Sequence, residues 1–116
     1  METELVDLIF LYLSQNFDWR KLEELFNQWI RTDKSVAIIG DMNIDPADKT
    51  HKLMTYMERS SFTQLVDEPT HDGGRCLDHI YVNERLRNKQ VFHTQRCVYY
   101  SDHDVITLHV PLENKE

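Results

Sequence analysis

The sequence has few cysteines and no long apolar stretch, and no secretory leader is expected. Its two cysteines, Cys76 and Cys97, make no disulfide framework and have no CxxC partners, which disfavours a structural zinc site and leaves free, buried thiols as the expectation. No apolar run approaches the roughly 20 residues that a membrane-spanning helix needs, so no membrane association is expected. A soluble protein of the cytosol or nucleus is the expectation.

Positive charge is also scarce. The chain has 13 Lys and Arg against 20 Asp and Glu, a net charge of −7. Free-standing, non-specific nucleic-acid binders usually display a basic surface, so this class is disfavoured. A nuclease is still possible, because a metal ion offsets the negative charge of a carboxylate-rich site. With 116 residues and no repeat or linker, residues 1–116 are expected to form a single unit.

Hydrophobic periodicity predicts strands alternating with helices. The apolar run 5–13 predicts a central strand, and the run 36–39 predicts a strand buried on both faces. Between them, Asp18 can cap a helix with one apolar face. That face consists of Leu22, Leu25, Phe26, Trp29 and Ile30, with Trp29 expected in the core. A second helix, capped at Asp45-Pro46, is expected to bury Leu53, Met54 and Met57.

Four further strands are predicted at residues 62–66, 77–82, 91–99 and 105–110. The order β-α-β-α-β-β-β-β predicts an α/β (α+β) fold with a mixed sheet and helices on one face. The other sheet face must also be covered, since soluble monomers rarely expose a large apolar surface.

Polar side chains stand at the ends of three predicted strands. Asp41 and Asn43 follow the strand 36–39, Asp78 lies at the start of the strand 77–82, and His103 precedes the strand 105–110. Asp41 and Asn43 suit either a turn or a ligand site at the carboxyl end of a strand. Carboxylates, an amide and an imidazole at one sheet edge suit hydrolysis of a phosphate ester: the carboxylates activate water and bind a divalent cation, and the imidazole contacts the phosphoryl oxygens.

Three short blocks occur in order along the chain: Gly40-Asp41-Met42-Asn43, Leu77-Asp78-His79-Ile80-Tyr81-Val82 and Ser101-Asp102-His103. These blocks and their order resemble the endonuclease/exonuclease/phosphatase superfamily of DNase I-like proteins. The segment 64–71 is similar to the nucleases of retrotransposons and Helitron-like elements. The resemblance implies a divalent-metal-dependent phosphodiesterase that acts on nucleic acid.

The resemblance also implies a role for each residue of these blocks. Asp41 would orient or deprotonate the attacking water, and Asn43 would donate to the phosphoryl oxygens. Asp78 would hold His103, which would contact the scissile phosphate. Asp102 would be a metal ligand or a second-site acid, and with Asp41 it would hold Mg²⁺ or Mn²⁺.

Two tyrosines are candidates for substrate binding. Tyr12 falls where the family has a phosphate-contacting Tyr, although Ser14-Gln15 replaces the family's Pro-Asn. Tyr100 suits stacking on a base or ribose, and its neighbour Tyr99 would then point to the opposite face. Three basic residues between the later strands suit either phosphate contact or a solvated loop: Arg85, Arg87 and Lys89.

The resemblance covers almost the whole chain but only the C-terminal half of the family's domain. The Asn and Glu blocks of the family's first half have no counterpart here, so we expect half of a four-layer αββα sandwich, with weak Mg²⁺ binding and slow hydrolysis. The open sheet face would be covered by a second copy in a homodimer or by a missing N-terminal half-domain. Two alternatives are a non-catalytic fragment or interaction module, and a small-molecule or phosphoinositide phosphatase.

Overall fold

The order of strands and helices follows the sequence pattern, with one additional short helix. The computed structural model describes residues 5–14, 16–31, 33–44, 51–66, 70, 74, 76–97 and 103–111. The elements are β1 (Val6–Tyr12), α1 (Trp19–Trp29), β2 (Ser35–Asp41), α2 (Lys52–Arg59), β3 (Thr63–Gln64), β4 (Asp78–Val82), α3 (Glu84–Arg87), β5 (Phe92–Arg96) and β6 (Val105–His109). The predicted α/β (α+β) class with a mixed sheet is confirmed.

The main sheet has four strands in the order β1-β2-β4-β3. β1 runs parallel to β2, whereas β4 runs antiparallel to both β2 and β3. β5 and β6 form a separate antiparallel pair. Within the described residues β1 is therefore an edge strand, and the prediction that it is central was wrong.

The two longer helices cover the first face of the sheet. Val36 and Ile38 of β2 point to this face, where they pack with Phe26 of α1 and Leu53 of α2. All four side chains are fully buried. Trp29 is 44% exposed at the end of α1, so its prediction as a core residue was wrong.

Side chains cap both of these helices. α1 begins after Asp18, whose carboxylate accepts a hydrogen bond from the Arg20 backbone N–H at 3.0 Å, as predicted. The cap of α2 is His51, whose Nδ1 accepts from the Leu53 N–H at 3.1 Å. The helix that buries Leu53 therefore begins later than predicted, and Asp45-Pro46 lies outside the described residues.

The second face of the sheet is covered only in part. Its core consists of Ala37, Val66, Cys76, Ile80, Val82 and Leu86, and Val91, Ile106 and Leu108 around the β5–β6 hairpin pack against it. On β1, Val6 packs against this core, but two apolar side chains of the same face are open to solvent: Leu8 is 52% exposed and Phe10 is 70% exposed. This face of β1 therefore carries exposed apolar surface.

The cysteines and the lengths of the helices give two further findings. Both cysteines are free, but only Cys76 is buried, since Cys97 is exposed. Among the described helices, none has the length and apolar character needed to cross a membrane.

Candidate active site

Strand pairing places three polar side chains in one row across the end of the sheet. Asp41, the last residue of β2, lies opposite Asp78, the first residue of β4. On the other side, Asp41 pairs in parallel register with Tyr12, the last residue of β1. Because neighbours in register point to the same face, all three side chains lie on the second face of the sheet.

Gly40 allows β1 to approach β2 closely just before this row. Gly40 pairs with Leu11, and a Cβ atom at position 40 would lie 1.7 Å from the Leu11 carbonyl oxygen. No side chain fits at such a distance. Strand contact therefore explains the glycine, and the turn begins only after Asp41.

Asn43 forms that turn and fixes the conformation of Asp41. Its φ of +54° lies in the left-handed region that asparagine tolerates better than most residues. The Asn43 backbone N–H donates to Asp41 Oδ1 at 3.1 Å, and the side-chain Nδ2 donates to the Leu13 carbonyl. Asn43 thus joins the ends of β1 and β2, and its contact with phosphoryl oxygens stays a prediction.

His103 bridges the two carboxylates of the row. Its Nδ1 lies 2.7 Å from Asp78 Oδ2, which confirms the predicted contact, and its Nε2 lies 3.8 Å from Asp41 Oδ2. The side chains of His103, Asp41 and Asp78 are 30%, 19% and 14% exposed. Because an ionised carboxylate only accepts, Nδ1–H donates to Asp78, and the neutral ring keeps a lone pair on Nε2.

Thr70 is a positioning residue that the sequence reasoning missed. Its side-chain oxygen accepts hydrogen bonds from the backbone N–H groups of Leu77 at 3.1 Å and Asp78 at 3.0 Å. Its carbonyl accepts from the Asp104 N–H at 2.6 Å. The residue is 1% exposed and joins the start of β4 to the residue after His103. The only sequence signal was its place in the segment 64–71.

His79 adjoins Asp78 in sequence but lies on the opposite face of the sheet. The ring is fully buried, with Nε2 2.8 Å from the Ile44 carbonyl and 3.1 Å from the Cys76 carbonyl. Nδ1 lies 2.8 Å from the Tyr81 hydroxyl. Since Nε2 must donate to the carbonyls, Nδ1 accepts from Tyr81, whose pKa is raised by burial. His79 therefore holds together the segments that flank the site.

The remaining predicted site residues are Tyr12, Tyr100 and Asp102. Tyr12 is 76% exposed beside Asp41. Tyr100 and Asp102 lie outside the described residues.

A divalent cation fits the described part of the site. One ligand atom each from Asp41, Asp78 and His103 lies within 4.8 Å of the other two. Two carboxylate oxygens and an imidazole nitrogen are suitable ligands for Mg²⁺ or Mn²⁺, with the nitrogen better tolerated by Mn²⁺. The cation would also compensate the two like charges that strand pairing brings together.

Comparison with known proteins agrees with this geometry. A model of the Endonuclease/Exonuclease/phosphatase family matches residues 10–103, which is most of the chain. The chain belongs to the endonuclease/exonuclease/phosphatase family. No curated protein and no solved structure gives a significant match.

Membership of the endonuclease/exonuclease/phosphatase family identifies the general chemistry. The family comprises hydrolases of the nuclease and phosphatase type, which typically depend on a divalent metal. The matched segment begins within β1 and ends at His103, so it includes Asp41, Asn43 and Asp78. All the described members of the candidate site therefore belong to the family's domain.

Proposed function

We propose that the chain supplies the catalytic groups of a divalent-metal-dependent phosphodiesterase that acts on nucleic acid. The observation that supports this best is the arrangement of Asp78, His103 and Asp41. One carboxylate holds the imidazole at 2.7 Å, and the other lies 3.8 Å from the opposite ring nitrogen. Fixed groups of this kind are needed to move protons at a phosphate ester.

The gap between Asp41 Oδ2 and His103 Nε2 is the proposed reaction position. At 3.8 Å these atoms are too far apart for a direct hydrogen bond, but a water between them can donate a hydrogen bond to each. Asp41 then accepts a proton from the water, while Asp78 keeps the His103 ring in one orientation. A divalent cation held by Asp41 and Asp78 would supply charge neutralisation at the phosphate.

Nucleic acid is the proposed substrate class because of Tyr12 and the segment 64–71. Tyr12 exposes an aromatic ring in the same row as Asp41, where it can contact a nucleotide bound at the site. The segment 64–71 is similar to the nucleases of mobile elements, and we assign the chain to that branch of the family.

Weak binding of Mg²⁺ follows from the hydrogen bonds of the site. Asp41 Oδ1 already accepts from Asn43, and Asp78 Oδ2 accepts from His103. Because Mg²⁺ requires a near-octahedral set of oxygen ligands and gives up its waters reluctantly, the remaining oxygens hold it loosely. Slow turnover by this chain alone is therefore expected.

The test compares cleavage of labelled single-stranded DNA, abasic duplex DNA, RNA and a phosphoinositide in Mg²⁺ or Mn²⁺. We expect slow cleavage of nucleic acid that stops on addition of EDTA. Asp41→Asn and His103→Gln should each lower the rate by about a hundredfold or more, as loss of a proton-transfer group does. Asp33→Asn, which changes an exposed carboxylate outside the site, is the matched control and should leave the rate unchanged.

Two results would contradict the proposal. Turnover that survives both site substitutions would show that the reaction occurs elsewhere or comes from a contaminant. Preferential hydrolysis of the phosphoinositide would place the chain among the phosphatases of the family.

A further inference from the structure

Basic residues are concentrated in one stretch of this acidic chain. Between Glu84 and Asp102 the sequence contains four Lys or Arg residues and no Asp or Glu, whereas the whole chain has a net charge of −7. This stretch includes residues 85–87 of α3 and all of β5, and Arg96 is its basic residue on β5. Phosphate-bearing ligands are attracted to such a region by charge complementarity.

The β5–β6 hairpin presents one of its faces to solvent. Its inner side chains, such as Ile106 and Leu108, pack against the core of the second sheet face. The alternate side chains point outward and form what we call the hairpin outer face. It consists of three cross-strand pairs: Phe92 with His109, Thr94 with Thr107, and Arg96 with Val105.

Two rings on this face are stacked and held in place. The ring centroids of Phe92 and His109 are 4.5 Å apart, with an interplanar angle of 4°. His109 Nε2 and Thr94 Oγ1 form a hydrogen bond of 3.1 Å, which fixes the orientation of the imidazole. Phe92 nevertheless remains 54% exposed, so ring surface is available to a ligand. An ordered aromatic ring on the same face as an exposed Arg96 combines the two features that bind single-stranded nucleic acid.

We propose that the hairpin outer face binds single-stranded nucleic acid, with a base stacked on Phe92 and the backbone contacted by Arg96. This inference rests on the proposed function and extends the substrate site. β6 begins two residues after His103, and the Arg96–Val105 pair is at that end of the hairpin. The Phe92–His109 pair lies four residues, or about 13 Å, further along the strand. Single-stranded nucleic acid is preferred to a duplex because paired, stacked bases do not offer a free ring face.

The experiment measures binding of a fluorescein-labelled oligothymidine by anisotropy in EDTA, so that cleavage does not occur. Phe92→Ala should weaken binding about tenfold, as expected for loss of one stacked base. Phe92→Leu should weaken it equally because it keeps the apolar area but has no ring, and Phe92→Tyr should restore it. Arg96→Gln should lower the slope of log K against log salt by about 0.7.

Trp29→Ala removes an exposed aromatic ring from α1 and serves as the matched control, with thermal unfolding of each variant as a check on folding. The proposal is overturned if Phe92→Leu binds like the unchanged protein, if Trp29→Ala weakens binding as much, or if a duplex of the same sequence binds as tightly.

Hydrolysis of bis(p-nitrophenyl) phosphate by the unchanged protein in Mn²⁺ tests the catalytic site separately, because so small a diester does not extend along the hairpin. If the protein hydrolyses this diester but its binding of oligothymidine does not depend on Phe92, the surface proposal is overturned and the proposed function stands. If oligothymidine binding depends on Phe92 but the diester is not hydrolysed, the surface proposal is supported and the proposed function is contradicted.

Discussion

The hydroxyl and the carbonyl of the buried Thr70 position Asp78 and His103 relative to each other. Thr70 accepts from the Asp78 N–H through its side chain and from the Asp104 N–H through its carbonyl. The first contact sets the backbone at the start of β4, and the second sets the backbone just after His103. Because a proton-transferring imidazole must be held precisely relative to its partners, we expect Thr70 to affect the proposed hydrolysis without touching the substrate.

Replacing Thr70 by Val tests this positioning. The Leu77 and Asp78 N–H groups lose their acceptor in a buried environment, and each unsatisfied donor costs about 1–3 kcal/mol. We expect a lower free energy of unfolding in urea and slower phosphodiester hydrolysis. Thr70→Ser keeps the hydroxyl and is the control. Equal unfolding midpoints for Thr70→Val and Thr70→Ser would show that these hydrogen bonds contribute nothing to the free energy of unfolding.

The two Asp-His pairs of the sequence show how far the site could be predicted. Asp78-His79 and Asp102-His103 look alike. The strand ends predicted that Asp78 and His103 converge, whereas their direct contact was implied by the resemblance to the family. Strand alternation places His79 on the face opposite Asp78. The buried carbonyl groups and Tyr81 that bind its ring are not encoded by any local pattern. For the same reason Thr70 was missed, since its partners are seven and eight residues away.

Among the secondary-structure elements, the β1–β2 pair imposes the most restrictive local requirement. Gly40→Ala would place a methyl group 1.7 Å from the Leu11 carbonyl oxygen, and the backbone of β1 would have to move away. We expect a loss of stability of about 3 kcal/mol or more, in the range of the most damaging single substitutions. Thermal unfolding monitored by circular dichroism measures it.

Gly74→Ala is the appropriate comparison for that substitution. A Cβ at position 74 has no atom within 4 Å, but the φ of +83° is unfavourable for alanine. The expected cost is about 1 kcal/mol, from backbone conformation alone. If the two variants unfold at the same temperature, steric contact with Leu11 is not the reason for Gly40.

Periodicity predicted the elements better than it predicted their limits. The apolar stripe of α1 identified the buried Leu22 and Phe26, but Trp29 at the end of the helix is 44% exposed. A helical stripe specifies a direction, whereas burial depends on how far the partner surface extends along the helix. The short helix α3 was predicted as part of an inter-strand segment because a four-residue helix is too short to show a period.

For the molecule as a whole, the open apolar strand β1 predicts weak association with a second copy. Leu8, Phe10 and Tyr12 point to the same face, and within the described residues β1 pairs only with β2. An exposed apolar edge strand is suited to pairing with an identical strand. Three side chains of this size bury on the order of 400 Å² per protomer, about half of the usual 800 Å².

We therefore expect a weak homodimer in sedimentation velocity, visible as a sedimentation coefficient that rises with concentration. Leu8→Ser together with Phe10→Ser should abolish the concentration dependence, because both substitutions remove apolar area from the proposed contact. Trp29→Ser, on α1, should leave it unchanged. A sedimentation coefficient independent of concentration in the unchanged protein would rule out self-association and favour a different partner for this face.

The row of Tyr12, Asp41 and Asp78 also has a consequence for the folding of the chain. β1, α1 and β2 are consecutive, so Tyr12 and Asp41 come together when this first unit forms. Asp78 and His103 belong to later parts of the chain, and they join this row only when β4 has paired with β2 and His103 has reached Asp78. A state in which only β1, α1 and β2 had formed would contain Tyr12 and Asp41 without Asp78 and His103. Hydrolytic activity, unlike helix content, would thus report the last stage of folding.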